Sequence, residues 1–157
     1  MTHDWGSAPG GPAELINRDM PPDEPEGTTM KAELAFLVGA VALTVIQMLL
    51  AVVGAMLQVG LPVLFGNRDN IPDIHGWAGR ASRAHRNLLE NLVLFAALVL
   101  SAHAAGVSNA GTVLGAQLFL WARVAYAVLY IAGIPIARTA AWAVSMAGLI
   151  LIFLQMV

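Results

Sequence analysis

One stretch of the chain carries charged and amide side chains at helical spacing: Arg80, Arg83, Arg86, Asn87 and Glu90. At about 100° per residue, these five side chains fall within an arc of about 120°, so they share one helix face. Three arginines beside one glutamate leave surplus positive charge, which favours an anionic ligand. Arginine suits carboxylates because its fork makes two parallel hydrogen bonds. A zwitterion with two or more carboxylates would fit this face.

Two further roles are open for the same stripe. Glu90 can hold the ammonium group of a ligand or orient an arginine, and Arg83 and Arg86 lie within helical reach of it, which offsets part of the cost of the charges. Asn87 offers one donor and one acceptor. The alternative interpretation is a polar network that only joins helices or subunits.

A second group of candidate residues follows in the next apolar segment. Arg123 lies near its middle, and Glu90, at similar depth, is the expected partner. Tyr126 and Tyr130 follow at i+3 and i+7 on the same helix face, where they can stack on a ligand and hydrogen-bond its polar groups. Each tyrosine alone is also compatible with anchoring at a membrane interface.

Arg138 and Thr139 open the last apolar segment. A cation within about 4–6 Å favours the charged form of a thiol, so Arg138 is a candidate for stabilising a thiolate, with help from the Thr139 hydroxyl. The alternative for Arg138 is an ordinary snorkelling arginine. The chain has no cysteine, so a substrate must supply the thiol. The four scattered histidines predict no metal site.

The elements that position these residues are membrane helices. Apolar residues make up 58% of the 157-residue chain and charged residues 11%, far below the roughly 25% charged residues of soluble domains. Hydrophobic runs predict an all-α membrane protein with four transmembrane helices, at residues 32–59, 76–105, 112–132 and 137–157. The distribution of Arg68, Arg80 and Arg138 predicts that the loops between helices 1 and 2 and between helices 3 and 4 are cytoplasmic.

Residues 1–29 have a different composition, rich in proline, glycine and acids. They lack the basic start and apolar core of a signal peptide. We expect a disordered tail, and Met30 is an alternative start that opens the first helix directly. Residues 30–157 then form one membrane domain.

The sequence RASRAHRNLLE at residues 80–90 resembles the R-x-x-R-A-x-x-N-x-x-E motif of the MAPEG family, membrane-associated proteins in eicosanoid and glutathione metabolism. Asn67-Arg68-Asp69 resembles a loop of bacterial members. Arg123, Tyr126 and Tyr130 resemble the third-helix pattern of the leukotriene C4 and prostaglandin E synthases, and Arg138-Thr139 is similar to an Arg-Ser pair of the latter. The resemblance covers residues 30–157.

This resemblance implies a four-helix protomer, a homotrimer and glutathione bound between subunits, here in a bacterial inner membrane. The glutathione-binding residues it implies are Arg83, Arg86, Asn87, Glu90, Arg123, Tyr126 and Tyr130. Arg138 would activate the thiol, with Thr139 beside it. Membrane lipid and a small lipophilic substrate are expected as partners, and nucleic acid is not.

The chain departs from the family pattern at a few positions. Gly79 replaces a glutamate found in many members, Asn91 replaces a tyrosine of the leukotriene enzyme, and Val93 and Leu94 stand where a proline often follows the motif. The first helix also lacks the arginine of the eicosanoid enzymes. Eicosanoids are therefore weaker candidates than other substrates.

Three functional hypotheses follow. The first is a glutathione-dependent transferase or peroxidase that acts on lipophilic electrophiles or lipid hydroperoxides. The second is a lipid-binding or scaffold protein that uses the same fold without chemistry. The third is a structural trimer in which the polar stripe serves assembly alone.

Overall fold

The computed structural model describes residues 30–67 and 72–157, which form five helices. These are α1 (Ala32–Val59), α2 (Leu61–Phe65), α3 (Gly76–Ala104), α4 (Ala110–Ala132) and α5 (Pro135–Leu154). The four longer helices are each long and apolar enough to cross a membrane. The predicted all-α, multi-pass membrane architecture is therefore confirmed. The predictions for the tail at 1–29 and for Arg68 lie outside the described residues, and the orientation in the membrane stays a prediction.

The ends of the helices follow from local chemistry. α4 begins at Ala110, before the predicted start at residue 112, because Asn109 caps it: the Asn109 side chain accepts hydrogen bonds from the backbone N–H groups of Gly111 and Thr112. α2 was not predicted. Gly60, at φ 78°, ends α1, and Pro62 lies in the first turn of α2, where its missing N–H has no intrahelical partner to lose.

The four long helices pack as two pairs. α4 and α5 share the most extensive interface, α1 and α3 the next, and the contact between α3 and α4 joins the pairs. α4 and α5 approach backbone to backbone, because a Cβ atom at Gly115 would lie 2.7 Å from the Gly148 carbonyl oxygen and one at Gly148 would lie 2.6 Å from that of Gly115. The core is centred on the rings of Phe95 and Phe119, which stack at 4.0 Å between centroids.

A polar contact secures the end of the bundle opposite the arginine stripe. The buried carboxylate of Glu33, at the start of α1, accepts hydrogen bonds from the hydroxyls of Thr112 and Ser108. Both hydroxyls belong to the turn and cap between α3 and α4. Glu33 thereby ties the first helix to the junction of the next two.

Replacing Glu33 with alanine is expected to lower the free energy of unfolding by about 1–2 kcal/mol, because the Thr112 and Ser108 hydroxyls lose their shared acceptor. Thermal unfolding of the purified protein in detergent, followed by circular dichroism, measures the effect. Glu33→Gln retains one acceptor oxygen and should lie between wild type and Glu33→Ala. An unchanged unfolding midpoint for Glu33→Ala would show that this contact adds no stability.

Candidate functional site

The candidate site begins on the outer face of α3. Arg83, Arg86 and Glu90 are exposed on the protomer, whereas His85 lies against α1 near the Thr44 backbone and Asn91 is buried. Exposed charge on a membrane-spanning helix costs several kcal/mol unless protein or water covers it. This face is therefore expected to lie against protein or water rather than lipid.

The charges on this face do not neutralise one another. Within residues 30–67 and 72–157, no nitrogen of Arg83 or Arg86 lies within the 4.0 Å ion-pair distance of Glu90. The expected intrahelical offset is therefore wrong. Helical side chains lean toward the N-terminus of their helix, and the Arg83 guanidinium lies back beside Gly79 instead of reaching forward to Glu90. Two cations and one carboxylate remain available to a ligand.

Arg80 does not belong to this exposed group. Its Nε donates a 2.8 Å hydrogen bond to the carbonyl oxygen of Ile131 in the last turn of α4. A cation at the C-terminal end of a helix satisfies free carbonyl groups and complements the helix dipole. Arg80 therefore joins α3 to α4, and the exposed group contains two of the three arginines of the stripe.

Arg123 bonds to Asn87 and not to Glu90. Its Nη1 donates a 2.8 Å hydrogen bond to Asn87 Oδ1, and no ion pair links it to Glu90 in the part of the chain that the structure describes. The prediction of Glu90 as its partner is therefore wrong. Asn87 and Glu90 share one helix face a turn apart, and the packing of α4 on α3 brings Arg123 to the first of them. Glu90 accepts no hydrogen bond from another side chain in the described ranges.

Aromatic rings enclose the Arg123 guanidinium. Its Cζ lies 5.3 Å from the ring centroid of Phe119 and 5.6 Å from that of Tyr126, distances typical of cation–π contacts. Arg123 is 1% exposed, and its Nε and Nη2 have no hydrogen-bond partner among the described residues. Ring faces thus stabilise this charge within the protomer, where it is closed off from a ligand on the outer surface.

Tyr126, Tyr130 and Arg138 form the wall of the site on α4 and α5. The two tyrosine rings lie 5.4 Å apart, and the Arg138 guanidinium lies 4.3 Å from the Tyr130 ring centroid. Tyr126 is within electrostatic reach of both Arg138 and Glu90. Tyr126 is buried in the protomer, whereas Tyr130 and Arg138 are half-buried and more accessible.

Thr139 has a local role. Its Oγ1 donates a 3.0 Å hydrogen bond to the Pro135 carbonyl oxygen four residues earlier in α5. This bond occupies the one donor of the hydroxyl and leaves its lone pairs free. In this conformation Thr139 has no proton to offer an anion, so Arg138 carries the positive potential at this position.

Two departures from the family pattern have structural reasons. A Cβ atom at position 79 would collide with the carbonyl oxygen of Ile74, so the segment that leads into α3 requires glycine there. Asn91 donates a 2.7 Å hydrogen bond to the Asn87 carbonyl oxygen and is buried. Its side chain therefore lies inside the protomer, away from the exposed charges. Val93 and Leu94 are exposed.

The exposed face of α3 continues beyond the charges as a regular stripe that was not predicted from the sequence. Its members alternate at spacings of three and four residues and are all exposed: Arg83, Arg86, Glu90, Val93, Ala97, Leu100 and Ala104. This 3.5-residue period is that of the contact face of a helix packed in a left-handed bundle. The spacing was present in the sequence, but its apolar half is indistinguishable there from a lipid-facing surface.

The chemistry available at this site is the binding of a ligand with both negative and positive groups. Arg83 and Arg86 offer guanidinium forks, Glu90 offers a carboxylate without an ion pair among the described residues, and Arg138 offers a cation beside an aromatic ring. A comparison with family models finds that the MAPEG family model matches residues 34–157 and so includes every candidate site residue. Searches of curated proteins and of solved structures found no match.

Proposed function

Because the chain belongs to the MAPEG family, membrane-associated proteins in eicosanoid and glutathione metabolism, we propose that it binds glutathione in the membrane and adds the glutathione thiolate to lipophilic electrophiles or uses glutathione to reduce lipid hydroperoxides. The observation that carries the proposal is the exposed group of Arg83, Arg86 and Glu90, which lacks internal ion pairs in the described chain. Glutathione has two carboxylates, one ammonium group and the thiol that a cysteine-free chain must obtain elsewhere.

The charges of glutathione match the free groups of α3. Arg83 and Arg86 are proposed to bind its carboxylates through paired hydrogen bonds. Glu90 is proposed to bind its ammonium group, and the absence of a bond between Glu90 and Arg123 supports this role, because a carboxylate neutralised inside the protomer would attract a ligand cation less strongly. Asn87, on the same helix, adds amide hydrogen bonds.

Tyr126 and Tyr130 are proposed to complete the glutathione site. Tyr130 is half-buried and faces the Arg138 guanidinium, which suits a contact with the peptide backbone of the ligand. Tyr126 is more deeply buried and supports Tyr130 through the contact between their rings. Arg123 is proposed to contribute through Asn87, because its guanidinium is enclosed.

Arg138 is proposed to stabilise the glutathione thiolate. In conjugation, the thiol loses its proton to solvent, the sulfur lone pair forms a C–S bond, and the displaced electron pair moves to the leaving group or to an adjacent atom that takes up a proton. In hydroperoxide reduction, two glutathione molecules form a disulfide while the hydroperoxide becomes an alcohol and water. Both reactions require the thiolate as nucleophile.

The lipophilic co-substrate is proposed to arrive from the bilayer, between subunits. A homotrimer is proposed because the exposed charges of α3 require cover and because their stripe continues with heptad spacing into Val93, Ala97 and Leu100. Three α3 helices around a common axis would cover the charges of one protomer with the surface of the next. Glutathione would then be enclosed at the subunit interface.

Calorimetric titration of glutathione into the purified protein tests the proposal. Wild type is expected to bind, and Arg83→Ala is expected to bind about tenfold to a hundredfold more weakly, because a charge-assisted hydrogen bond contributes roughly 1.5–3 kcal/mol. Arg83→Lys is the matched control: it keeps the charge but loses the fork, so its affinity should lie between the two.

Two results would contradict the proposal. Equal binding heats for wild type and Arg83→Ala would remove Arg83 from the site. No heat with wild type in its native oligomeric state, together with no turnover of electrophiles or hydroperoxides, would favour a non-catalytic lipid-binding or scaffold protein of the same fold.

A further inference from the structure

The contact between Arg123 and Asn87 has a fixed chemical direction. A guanidinium carries only N–H donors, so the atom of the Asn87 amide that faces it must be the oxygen. The 2.8 Å bond from Arg123 Nη1 to Asn87 Oδ1 fits this requirement. A flipped amide would place two donor groups against each other beside a buried guanidinium. The usual ambiguity between the oxygen and nitrogen of an asparagine side chain is therefore resolved.

The Arg123 side chain is held so that it cannot leave this contact. The rings of Phe119 and Tyr126 lie beside its guanidinium at 5.3 and 5.6 Å. Phe119 is itself fixed by stacking on Phe95 in the core. With 1% of its surface exposed, Arg123 has no route to a ligand at the outer face of α3. Its effect on that face must pass through Asn87.

We infer that Arg123 is a positioning residue that holds the Asn87 amide with its oxygen inward, so that the amide presents its N–H groups to the site and selects a ligand oxygen. By its chemistry alone, the Asn87 amide offers both a donor and an acceptor. With Oδ1 held against the enclosed Arg123 guanidinium, Nδ2 is the branch of the amide left to face a ligand.

This assignment narrows the class of ligand at Asn87. The complementary group is a hydrogen-bond acceptor: a carboxylate or a peptide carbonyl oxygen. An ammonium or hydroxyl donor is left to Glu90, three residues farther along α3. The identity of the ligand as glutathione rests on the proposed function, whereas the orientation of the amide rests on the contact with Arg123.

The Asn87→Asp variant tests whether the group that residue 87 presents to the ligand is a donor. Asn87→Asp keeps an oxygen for Arg123 but presents a second oxygen to the ligand. If the ligand group is an acceptor, Asn87→Asp should bind glutathione more than tenfold more weakly than wild type, and also more weakly than Asn87→Ala. If Asn87→Asp binds as tightly as wild type or more tightly, the ligand group is a donor and the inference is overturned.

Substitution of Arg123 separates positioning from structural support. Arg123→Met fills similar space among aromatic rings without a charge, and it removes the desolvation cost of a buried guanidinium whose Nε and Nη2 have no partner among the described residues. We expect Arg123→Met to unfold at or above the wild-type temperature, yet to bind glutathione about tenfold more weakly. Arg123→Lys retains a donor for Asn87 Oδ1 and should restore most of the affinity.

A double-mutant cycle completes the test. In the Asn87→Ala background, Arg123→Met should cause no further loss of glutathione affinity, because both changes remove the same ligand contact. Additive losses would show that Arg123 acts on the ligand directly, contrary to the inference.

A ligand-free measurement keeps the inference independent of the proposed function. With ¹⁵N-labelled asparagine, the side-chain amide resonance of Asn87 is assigned by its absence from Asn87→Ala. It should be similar in wild type and Arg123→Lys and shifted in Arg123→Met. An identical resonance in wild type and Arg123→Met would overturn the positioning role, whereas a shift without glutathione binding in wild type would leave the role intact and contradict the proposed ligand alone.

Discussion

Replacing Arg138 with alanine is expected to lower the rate of glutathione conjugation at neutral pH by about tenfold to a hundredfold, because a nearby cation lowers a thiol pKa by roughly one to two units in such a site. The glutathione affinity should change by less than the rate, since the carboxylates and the ammonium group contact α3. Turnover with a soluble model electrophile and calorimetric binding measure the two effects separately.

The pH dependence of the conjugation rate tests whether Arg138 acts on thiolate formation. A lowered thiol pKa means that wild type holds the thiolate at neutral pH, whereas Arg138→Ala requires a higher pH to form it. The rate of the variant should therefore rise with pH and approach that of wild type in alkaline buffer. A constant ratio of the two rates across the pH range would contradict a role in thiolate formation.

Two controls accompany Arg138→Ala. Arg138→Lys keeps a cation at the position and should retain most of the rate, although it lacks the planar group that lies 4.3 Å from the Tyr130 ring centroid. Thr139→Ala should have the smaller effect, because the Thr139 hydroxyl already donates to the Pro135 carbonyl. A larger loss for Thr139→Ala than for Arg138→Ala would assign the thiolate contact to the hydroxyl.

The membrane helices were predictable from the sequence for a physical reason. A membrane span must satisfy its backbone hydrogen bonds within itself, so its length and apolar character are local properties of the chain. Gly60 ends α1, whereas Pro62, two residues later, lies in the first turn of the short helix α2. A proline signals a boundary without stating which side of it continues as helix.

The partners within the site were less predictable because they depend on how the helices rotate against each other. Helical spacing placed Asn87 and Glu90 on one face at neighbouring depths, and either was within range of a mid-membrane arginine. Glu90 was the expected partner because it lies at a similar depth and has the opposite charge. The packed structure instead brings Arg123 to Asn87. Similarly, the acceptor for Arg80 is the Ile131 carbonyl, 51 residues away in sequence and without a side-chain signal.

A large side chain within the stripe on α3 is expected to disrupt the proposed trimer. Ala97 lies within it, between Val93 and Leu100, and is exposed on the protomer. If this surface packs around a three-fold axis, Ala97→Trp introduces three large rings where small side chains meet. Overpacking costs roughly 1–3 kcal/mol per site, or about 3–9 kcal/mol for a trimer. Native mass spectrometry or light scattering in detergent should then detect dissociation at concentrations where wild type stays assembled.

A matched control distinguishes a packed surface from a lipid-facing one. Val128 on α4 is 63% exposed, one heptad after Trp121, which is itself 61% exposed, so Val128→Trp extends an aromatic surface that the protein already presents. Lipid accommodates a large apolar ring, whereas a packed interface does not, and an apolar substitution avoids the cost of a charge in the bilayer. Val128→Trp should therefore assemble as wild type does.

Ala97→Trp should also lose glutathione binding as it dissociates, because the charges of α3 then lose their cover. An intact trimer for Ala97→Trp, or a monomeric wild type, would contradict an α3-centred assembly.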